Sequence, residues 1–134
     1  MNPFRENPSI IPITELFYNK FYNDKNERYL LLGINPGRHG AGVTGIPFTD
    51  TMRLEKYCGI KINGFNSYET SSEFIYRMID AYGGVKKFYS RYYINAICPL
   101  GFTKTNTNGK NVNYNYYDDK QLTDIVSGFM LKSL

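Results

Sequence analysis

A short apolar run leads without interruption into a stretch that is unusually rich in glycine. Residues 28–35 read RYLLLGIN, and residues 33–48 read GINPGRHGAGVTGIPF, with five glycines and two prolines. An apolar run without alternating polar residues is typical of a strand buried on both faces, as in a parallel sheet. The sequence therefore predicts a buried strand that ends in a pliable loop, and such a loop is the usual place for a ligand.

A second strand and the helices around it follow from the same kind of pattern. Residues 91–102, RYYINAICPLGF, predict another buried strand, which Pro99 closes. Asp50 has the position of a helix cap, and Thr70 and Glu73 have the spacing of a capping box. Three predicted helices carry apolar stripes: Ile13, Leu16, Phe17 and Phe21; Phe74, Ile75, Met78, Ile79 and Tyr82; and Leu122, Ile125, Val126, Phe129 and Met130.

Two segments between these elements are polar or basic. Residues 103–117 are rich in asparagine and predict a long, mobile surface loop. Residues 86–93, KKFYSRYY, interleave basic and aromatic side chains, a pattern that also suits single-stranded nucleic acid. We favour a helix end that enters a strand, with half-buried tyrosines, over a DNA-binding face. Gly83 and Gly84 mark the end of the helix before it.

The order helix, strand, loop, helix, strand, loop, helix predicts a three-layer α/β/α fold with a central parallel sheet. The length of 134 residues fits one domain, residues 1–134. Two strands make a small sheet, and a further strand should follow the last helix. We therefore expect the C-terminal part of the domain to be missing from this sequence. An open sheet edge of this kind predicts self-association or low stability.

Charge and cysteine content limit the class of protein. A formal net charge of +4 and a sequence pI near 9.0 fit a polyanionic partner without requiring one. Cys58 and Cys98 have neither metal-binding nor disulfide spacing, which predicts reduced, buried thiols. No apolar run is long enough to span a membrane, and the N-terminus lacks a signal-peptide pattern. We expect a soluble, cytoplasmic protein without membrane contact.

The glycine-rich loop itself indicates close approach of the backbone to another group. It lacks the Lys-Ser/Thr ending of a phosphate-binding Walker A loop and the GxGxxG spacing of dinucleotide sites. Exposed backbone N–H groups in such a loop can still cradle a phosphate. On the residues alone, a ligand-binding loop, a phosphate cradle and a plain structural turn all remain open.

Residues 33–48 resemble the first signature of the uracil-DNA glycosylase superfamily. The stretch is closest to the single-strand-selective monofunctional branch, whose loop reads roughly GMNPGPxGMxxTGVPFG, and it aligns without gaps. Residues 95–102, NAICPLGF, resemble the second element of that branch, an asparagine shortly before Cys-Pro-Leu. The resemblance covers residues 29–102. It implies hydrolysis of the N-glycosidic bond of uracil, or a related damaged pyrimidine, in single- or double-stranded DNA, without metal or cofactor.

The resemblance also implies roles for particular residues. Asn35 aligns with the catalytic asparagine, which orients the attacking water, since an amide cannot accept a full proton. Phe48 aligns with the aromatic residue that stacks on the flipped base. Asn95 is the candidate for reading the uracil edge, because an amide can donate to O4 and accept from N3–H. The rest of the predicted substrate-binding loop comprises Gly33, Ile34, Pro36, Gly37, Gly40 and Gly45.

The sequence departs from the family pattern at three places. Asn95 lies one residue earlier than the pattern requires, where Ala96 occupies the strict position. Ala41 and Gly42 replace bulkier residues, which predicts a roomier pocket. The second catalytic signature, His-Pro-Ser, is absent, and the only histidine, His39, lies in the first loop and does not match that role.

Three functions therefore stay open at this stage. The first is a monofunctional uracil-DNA glycosylase. The second is a glycosylase-like module that binds DNA or a base without cleaving it, which the missing signature favours for this chain. The third, a nucleotide-phosphate binder, ranks last because no acidic metal ligands occur at a recognisable spacing.

Overall fold

A computed structural model describes residues 1–133 of the chain, which form short helices around two small sheets. The elements in chain order are α1 (Pro3–Glu6), α2 (Ile10–Tyr22), β1 (Tyr29–Gly33), α3 (Ala41–Thr44), α4 (Thr51–Cys58), α5 (Thr70–Tyr82), α6 (Val85–Arg91), β2 (Tyr92–Ala96), β3 (Phe102–Thr105), β4 (Asn111–Tyr114), a 3₁₀ turn (Tyr116–Asp118) and α7 (Lys120–Ser133).

The two strands predicted from apolar runs pair with each other in parallel. Tyr29 lies opposite Tyr92 and Gly33 lies opposite Ala96, without a bulge between them. The chain crosses from one strand to the other through α3 to α6, as a parallel connection requires. The predicted mixed α/β class with a parallel sheet is confirmed.

The core lies where α2, α5 and α6 meet β2, and aromatic rings dominate it. The ring of Phe17 on α2 packs edge-on against Tyr89 of α6 at 5.3 Å between centroids, and Phe21 approaches Tyr89 at 5.0 Å. Tyr76 of α5 is fully buried and accepts a hydrogen bond from the Tyr89 hydroxyl at 3.2 Å. These rings bury a large apolar area in a small domain, and their staggered geometry adds specific attraction.

Strand β1 is more exposed than its apolar sequence predicts. Tyr29 is 64% exposed, Leu30 is 54% exposed and Leu32 is 45% exposed. The expectation of a strand buried on both faces is therefore wrong for β1 within residues 1–133. The reason is that, in the described part of the chain, no helix covers the faces of β1 enough to bury these side chains, and only one edge of the strand is paired.

The predicted positions of the helices are confirmed, whereas the predicted N-terminal cap of α5 is not. The carboxylate of Asp50 caps α4, and Gly83 ends α5 in the left-handed conformation with a φ of 118°. The capping box is wrong, because Glu69 is the N-cap residue of α5 and Thr70 already belongs to the first turn. Glu73 instead accepts a hydrogen bond from the hydroxyl of Tyr68.

Several residues of the predicted stripes point to solvent. Each helix buries a narrower stripe than predicted, centred on Phe17 in α2, Ile79 in α5 and Val126 in α7. The exposed members of the predicted stripes are Leu16, Phe74, Met78, Ile125 and Phe129.

The segment predicted as a mobile loop contains an antiparallel hairpin. Strands β3 and β4 pair from Phe102 opposite Tyr114 to Thr105 opposite Asn111. The turn closes with a hydrogen bond from the amide of Asn106 to the carbonyl of Lys110 at 2.8 Å, and Gly109 supplies a φ of 72°. A hairpin loop of three to five residues that contains glycine, here residues 106–110 with Gly109, is a signal that the asparagine-rich composition concealed.

Both cysteines are free and buried, as predicted. Burial raises the pKa of the Cys58 thiol to about 11, so this thiol stays protonated and unreactive at neutral pH. In the part of the chain that the structure describes, no helix combines the length and the apolarity needed to cross a bilayer.

The exposed side chains of β1 predict self-association through this strand. Leu30→Lys places a charge on β1, so it should lower the dimer fraction that sedimentation velocity detects at micromolar to millimolar concentrations. Leu131→Lys makes the same change at an exposed position of α7 and should leave the dimer fraction unchanged. Equal dimer fractions in the wild type and both variants would show that β1 does not form the interface.

Candidate functional site

A cleft of about 610 Å³ opens at the carboxyl ends of β1 and β2. The glycine-rich loop forms one wall, and the end of β2, the start of α5, the N-terminal segment and the hairpin complete it. The lining residues are Asn2, Pro3, Phe4, Thr14, Tyr18, Gly33, Ile34, Asn35, Pro36, Gly37, Ala41, Gly45, Pro47, Phe48, Glu69, Ser71, Asn95, Ala96, Pro99, Leu100, Asn113, Asn115 and Phe129.

Asn35 is held in the cleft because the parallel pairing continues beyond both strands. The amide of Ile97 donates to the carbonyl of Gly33 at 2.9 Å, and the amide of Cys98 donates to that of Ile34 at 3.0 Å. The segments that follow β1 and β2 therefore run side by side as far as Asn35. Its half-buried side chain donates from Nδ2 to the carbonyl of Pro36 at 3.3 Å, which leaves the amide oxygen available to a water molecule or ligand.

Phe48 has a backbone conformation that non-glycine residues rarely adopt. Its φ is 51°, which lies in the left-handed region. The ring lies against Gly33, where an added Cβ would be 2.8 Å from two ring atoms. Gly33 is thus required for the ring to lie over the end of β1. A strained residue at the edge of a cleft is a common feature of ligand-binding sites.

Threonine hydroxyls hold the loop before and after Phe48. Thr44 is fully buried and donates from Oγ1 to the carbonyl of Thr49 at 2.6 Å, while the amide of Ile46 donates back to the same hydroxyl at 3.1 Å. Thr14 of α2 donates to the carbonyl of Thr44 at 3.1 Å. These bonds span the bend at Phe48 and offset its backbone strain.

The buried carboxylate of Asp50 connects this loop to α5. Its Oδ1 accepts from the amide of Arg53 at 2.8 Å, and its Oδ2 accepts from Nη1 of Arg53 at 3.1 Å and from the amide of Glu69 at 2.9 Å. Asp50 is fully buried, so a carboxylate here is tolerated only because these donors surround it. Its own amide donates to Oγ of Ser72 at 3.0 Å, which draws α5 towards the loop.

Glu69 is the site residue that sequence reasoning missed. An added Cβ at Gly37 would lie 1.9 Å from Oε1 of Glu69, and one at Gly40 would lie 1.9 Å from Oε2. The glycines at these two positions therefore make room for the carboxyl group of Glu69. Burial raises the pKa of this carboxyl group, and the nearby negative charge of Asp50 adds to the effect, against the opposing hydrogen bond of Ser71. Nothing local in the sequence signals it, since Glu69 is far along the chain from the loop.

Asn95 lines the cleft with part of its hydrogen-bonding capacity already used. Its Oδ1 accepts from the amide of Ala96 at 2.9 Å, which fixes the orientation of the side chain. The oxygen can accept a second hydrogen bond, and Nδ2 can donate two. The side chain thus retains the donor and the acceptor that its predicted role requires.

The cleft brings together most of the residues that the sequence analysis selected. Gly40 is not among the lining residues, because it is buried beneath Glu69. His39 is exposed. Within residues 1–133, no group of three or more His, Cys, Asp or Glu side chains has the geometry of a metal site. The selected residues that line the cleft are Gly33, Ile34, Asn35, Pro36, Gly37, Gly45, Phe48 and Asn95.

Comparison with known proteins agrees with the resemblance carried by the loop. A family model of the uracil DNA glycosylase superfamily matches residues 19–126. The crystal structure of wild-type SMUG2 from Pedobacter heparinus superposes with a TM-score of 0.93 at 54% sequence identity. The match covers 99% of this chain and 57% of the Pedobacter chain, so the chain spans little more than half the length of that relative. No curated protein sequence matches the chain.

The carboxylate of Asp50 should be essential for stability. Asp50→Ala leaves buried donors without an acceptor, so it should lower the free energy of unfolding by about 3 kcal/mol or more, measured by urea denaturation. Asp24→Ala breaks an Asp–Arg pair at the surface, with Arg28, and should have a much smaller effect. Similar losses in the two variants would contradict the importance of the buried carboxylate.

Proposed function

The chain belongs to the uracil DNA glycosylase superfamily, and from that premise we propose that it hydrolyses the N-glycosidic bond of uracil, or of a related damaged pyrimidine, in DNA. The observation that carries the proposal is the meeting of Asn35, Phe48 and Asn95 in one cleft. These side chains come from two distant parts of the sequence, and each has the chemistry that its role requires. A cleft of about 610 Å³ is large enough for a nucleobase with its sugar.

The three side chains have complementary tasks in this reaction. The target nucleotide is turned out of the base stack, and the ring of Phe48 stacks on the extruded base. The amide of Asn95 donates to O4 and accepts from N3–H of uracil. Cytosine presents the opposite pattern and would leave buried polar groups unpaired, which is costly. Asn35 orients the water that attacks C1′ while negative charge develops on the departing uracil.

The charge distribution around the cleft supports a DNA partner. No acidic residue occurs between Asp80 and Asp118, and within this segment the hairpin beside the cleft carries two lysines, Lys104 and Lys110. The hairpin within it is attached to the glycine-rich loop, since the amide of Arg38 donates to Oδ1 of Asn113 at 3.1 Å. Basic and neutral polar side chains at the rim favour contact with phosphates. The buried free thiols fit action in the reducing cytoplasm.

Release of uracil from a uracil-containing single-stranded oligonucleotide tests the proposal. The wild-type chain should release uracil, and Asn35→Ala should lower the single-turnover rate about 100-fold or more, because the attacking water loses its orientation. Binding of the same oligonucleotide, measured by fluorescence anisotropy, should change little in this variant.

A matched variant and a second outcome complete this test. Asn19→Ala removes an amide from the exposed surface of α2 and should leave cleavage unchanged. Cleavage by Asn35→Ala at the wild-type rate would overturn the role of Asn35. Tight binding of the uracil oligonucleotide without any release by the wild type would replace the enzyme with a binding module, the function that the absent His-Pro-Ser signature favours.

The hairpin should contribute to DNA affinity through charge. Lys104→Ala with Lys110→Ala should lower the slope of log affinity against log salt concentration by about 1.4, since each contact with a single-stranded phosphate contributes about 0.7. Lys86→Ala with Lys87→Ala removes the same charge from α6, at the opposite end of β2, and should leave the slope unchanged. Equal slopes in both double variants would exclude the hairpin from the DNA interface.

A further inference from the structure

The proposed hydrolysis needs a proton acceptor that Asn35 cannot provide. Water that attacks C1′ becomes a hydroxyl group on the sugar, so one proton must leave it. A side-chain amide can orient this water and accept a hydrogen bond from it, but it does not accept the proton. A base within reach of the cleft is therefore missing from the set of residues that the family motif supplies.

Glu69 is the one carboxylate among the described residues that line the cleft. The other titratable side chain of the lining, Tyr18, has its pKa raised by burial, so it stays protonated at neutral pH and cannot act as a base. The carboxyl oxygens of Glu69 lie against Gly37, which follows Asn35 by two residues. Among the described residues, the one carboxyl group of the cleft therefore contacts the loop that carries the water-orienting amide.

The position of Glu69 is fixed by the fold. Its amide donates to Oδ2 of the buried Asp50 at 2.9 Å, at the start of α5. The side chain then fills the space that the missing Cβ atoms of Gly37 and Gly40 leave free. Fixed placement of this kind, on a helix end and against backbone, is what a catalytic group requires.

The surroundings of Glu69 suit a base that works near neutral pH. No ion pair neutralises it within residues 1–133, and burial raises its pKa. The nearest charged group is Asp50, which accepts from the Glu69 amide and is itself paired with Arg53 of α4. In the glycine-rich loop, Arg38 and His39 lie in sequence between the two glycines that contact Glu69. A carboxylate with a raised pKa binds a proton more strongly than an exposed one, which improves proton transfer at physiological pH.

We propose that Glu69 is a catalytic residue of this site and acts as the general base that takes the proton of the attacking water. This inference rests on the proposed function. The water oxygen forms a bond to C1′ as the C1′–N1 bond breaks, and the bonding electron pair leaves with uracil as its anion. One water proton moves to an Oε atom of Glu69, and Glu69 later returns it to the uracil anion or to solvent. No oxidant, metal or cofactor takes part in the balance.

Glu69→Gln tests the assignment, because it keeps the shape of the side chain and removes the basic oxygen. Its single-turnover rate of uracil release should fall about 100- to 10,000-fold, the range for loss of a general base. In the wild type the rate should rise with pH through the pKa of Glu69, at a higher pH than an exposed glutamate would give. Glu69→Gln should lose this limb of the pH profile.

Binding and a matched variant separate catalysis from structure. An oligonucleotide with 2′-fluoro-2′-deoxyuridine, whose glycosidic bond resists cleavage, should bind Glu69→Gln at least as tightly as the wild type, because one negative charge has been removed. Glu73→Gln makes the same change four residues further along α5, away from the cleft, and should keep both the rate and the pH profile.

The outcomes distinguish this inference from the proposed function. A wild-type rate in Glu69→Gln, or a slow rate with the wild-type pH profile, would overturn the role of Glu69 and leave the proposed function intact. Weak binding of the uncleavable oligonucleotide by Glu69→Gln would assign the residue a structural role only. Absence of cleavage by the wild type would overturn the proposed function, and the role of Glu69 would fall with it.

Discussion

The arrangement of the cleft depends on one buried carboxylate. Asp50 begins α4, holds the amide of Glu69 at the start of α5, and is neutralised by the guanidinium of Arg53. A charge that is fully removed from water is stable only when its oxygens meet well-placed donors, so this constellation admits little variation in geometry. Phe48 lies two residues before Asp50, and the amide of Glu69 donates to the carboxylate of Asp50. Asp50 therefore positions the residues on both sides of the cleft.

The glycines of the loop serve the protein's own side chains as well as any ligand. Gly33 accommodates the ring of Phe48, Gly37 and Gly40 accommodate Glu69, and Gly45 lies against the ring of Phe4. In each case a Cβ atom would collide with a group that forms the cleft. The loop is therefore rich in glycine because aromatic and carboxyl groups pack directly on its backbone, and its conformation is fixed by that packing rather than left free.

Apart from the hairpin of β3 and β4, the sequence predicted those features that local pattern determines, and it missed those that depend on distant contacts. The strands, the cap at Asp50 and the left-handed glycine at the end of α5 follow from neighbouring residues, and all are present. The capping box failed because Asp50, nineteen positions before Glu69 in the chain, holds the Glu69 amide and sets the start of α5 there. The apolar run predicted strand β1 correctly but did not predict that its side chains are exposed. The pattern of apolar residues indicates the type of element, and burial depends on which other elements pack against it. No local pattern indicated that Glu69 lies in the cleft, because the space for its side chain is left by two glycines more than twenty-five residues away.

At Phe48, the residue type that would make the fold most stable differs from the one that base recognition requires, because the backbone there is left-handed. Glycine or asparagine would relax the backbone at this position, yet either would remove the ring that lies over the end of β1. Variants selected only for resistance to heat would therefore tend to discard this phenylalanine, whereas variants selected for base recognition would retain it. Its persistence in a group of related sequences would thus record selection for the cleft, because the fold by itself prefers another residue there.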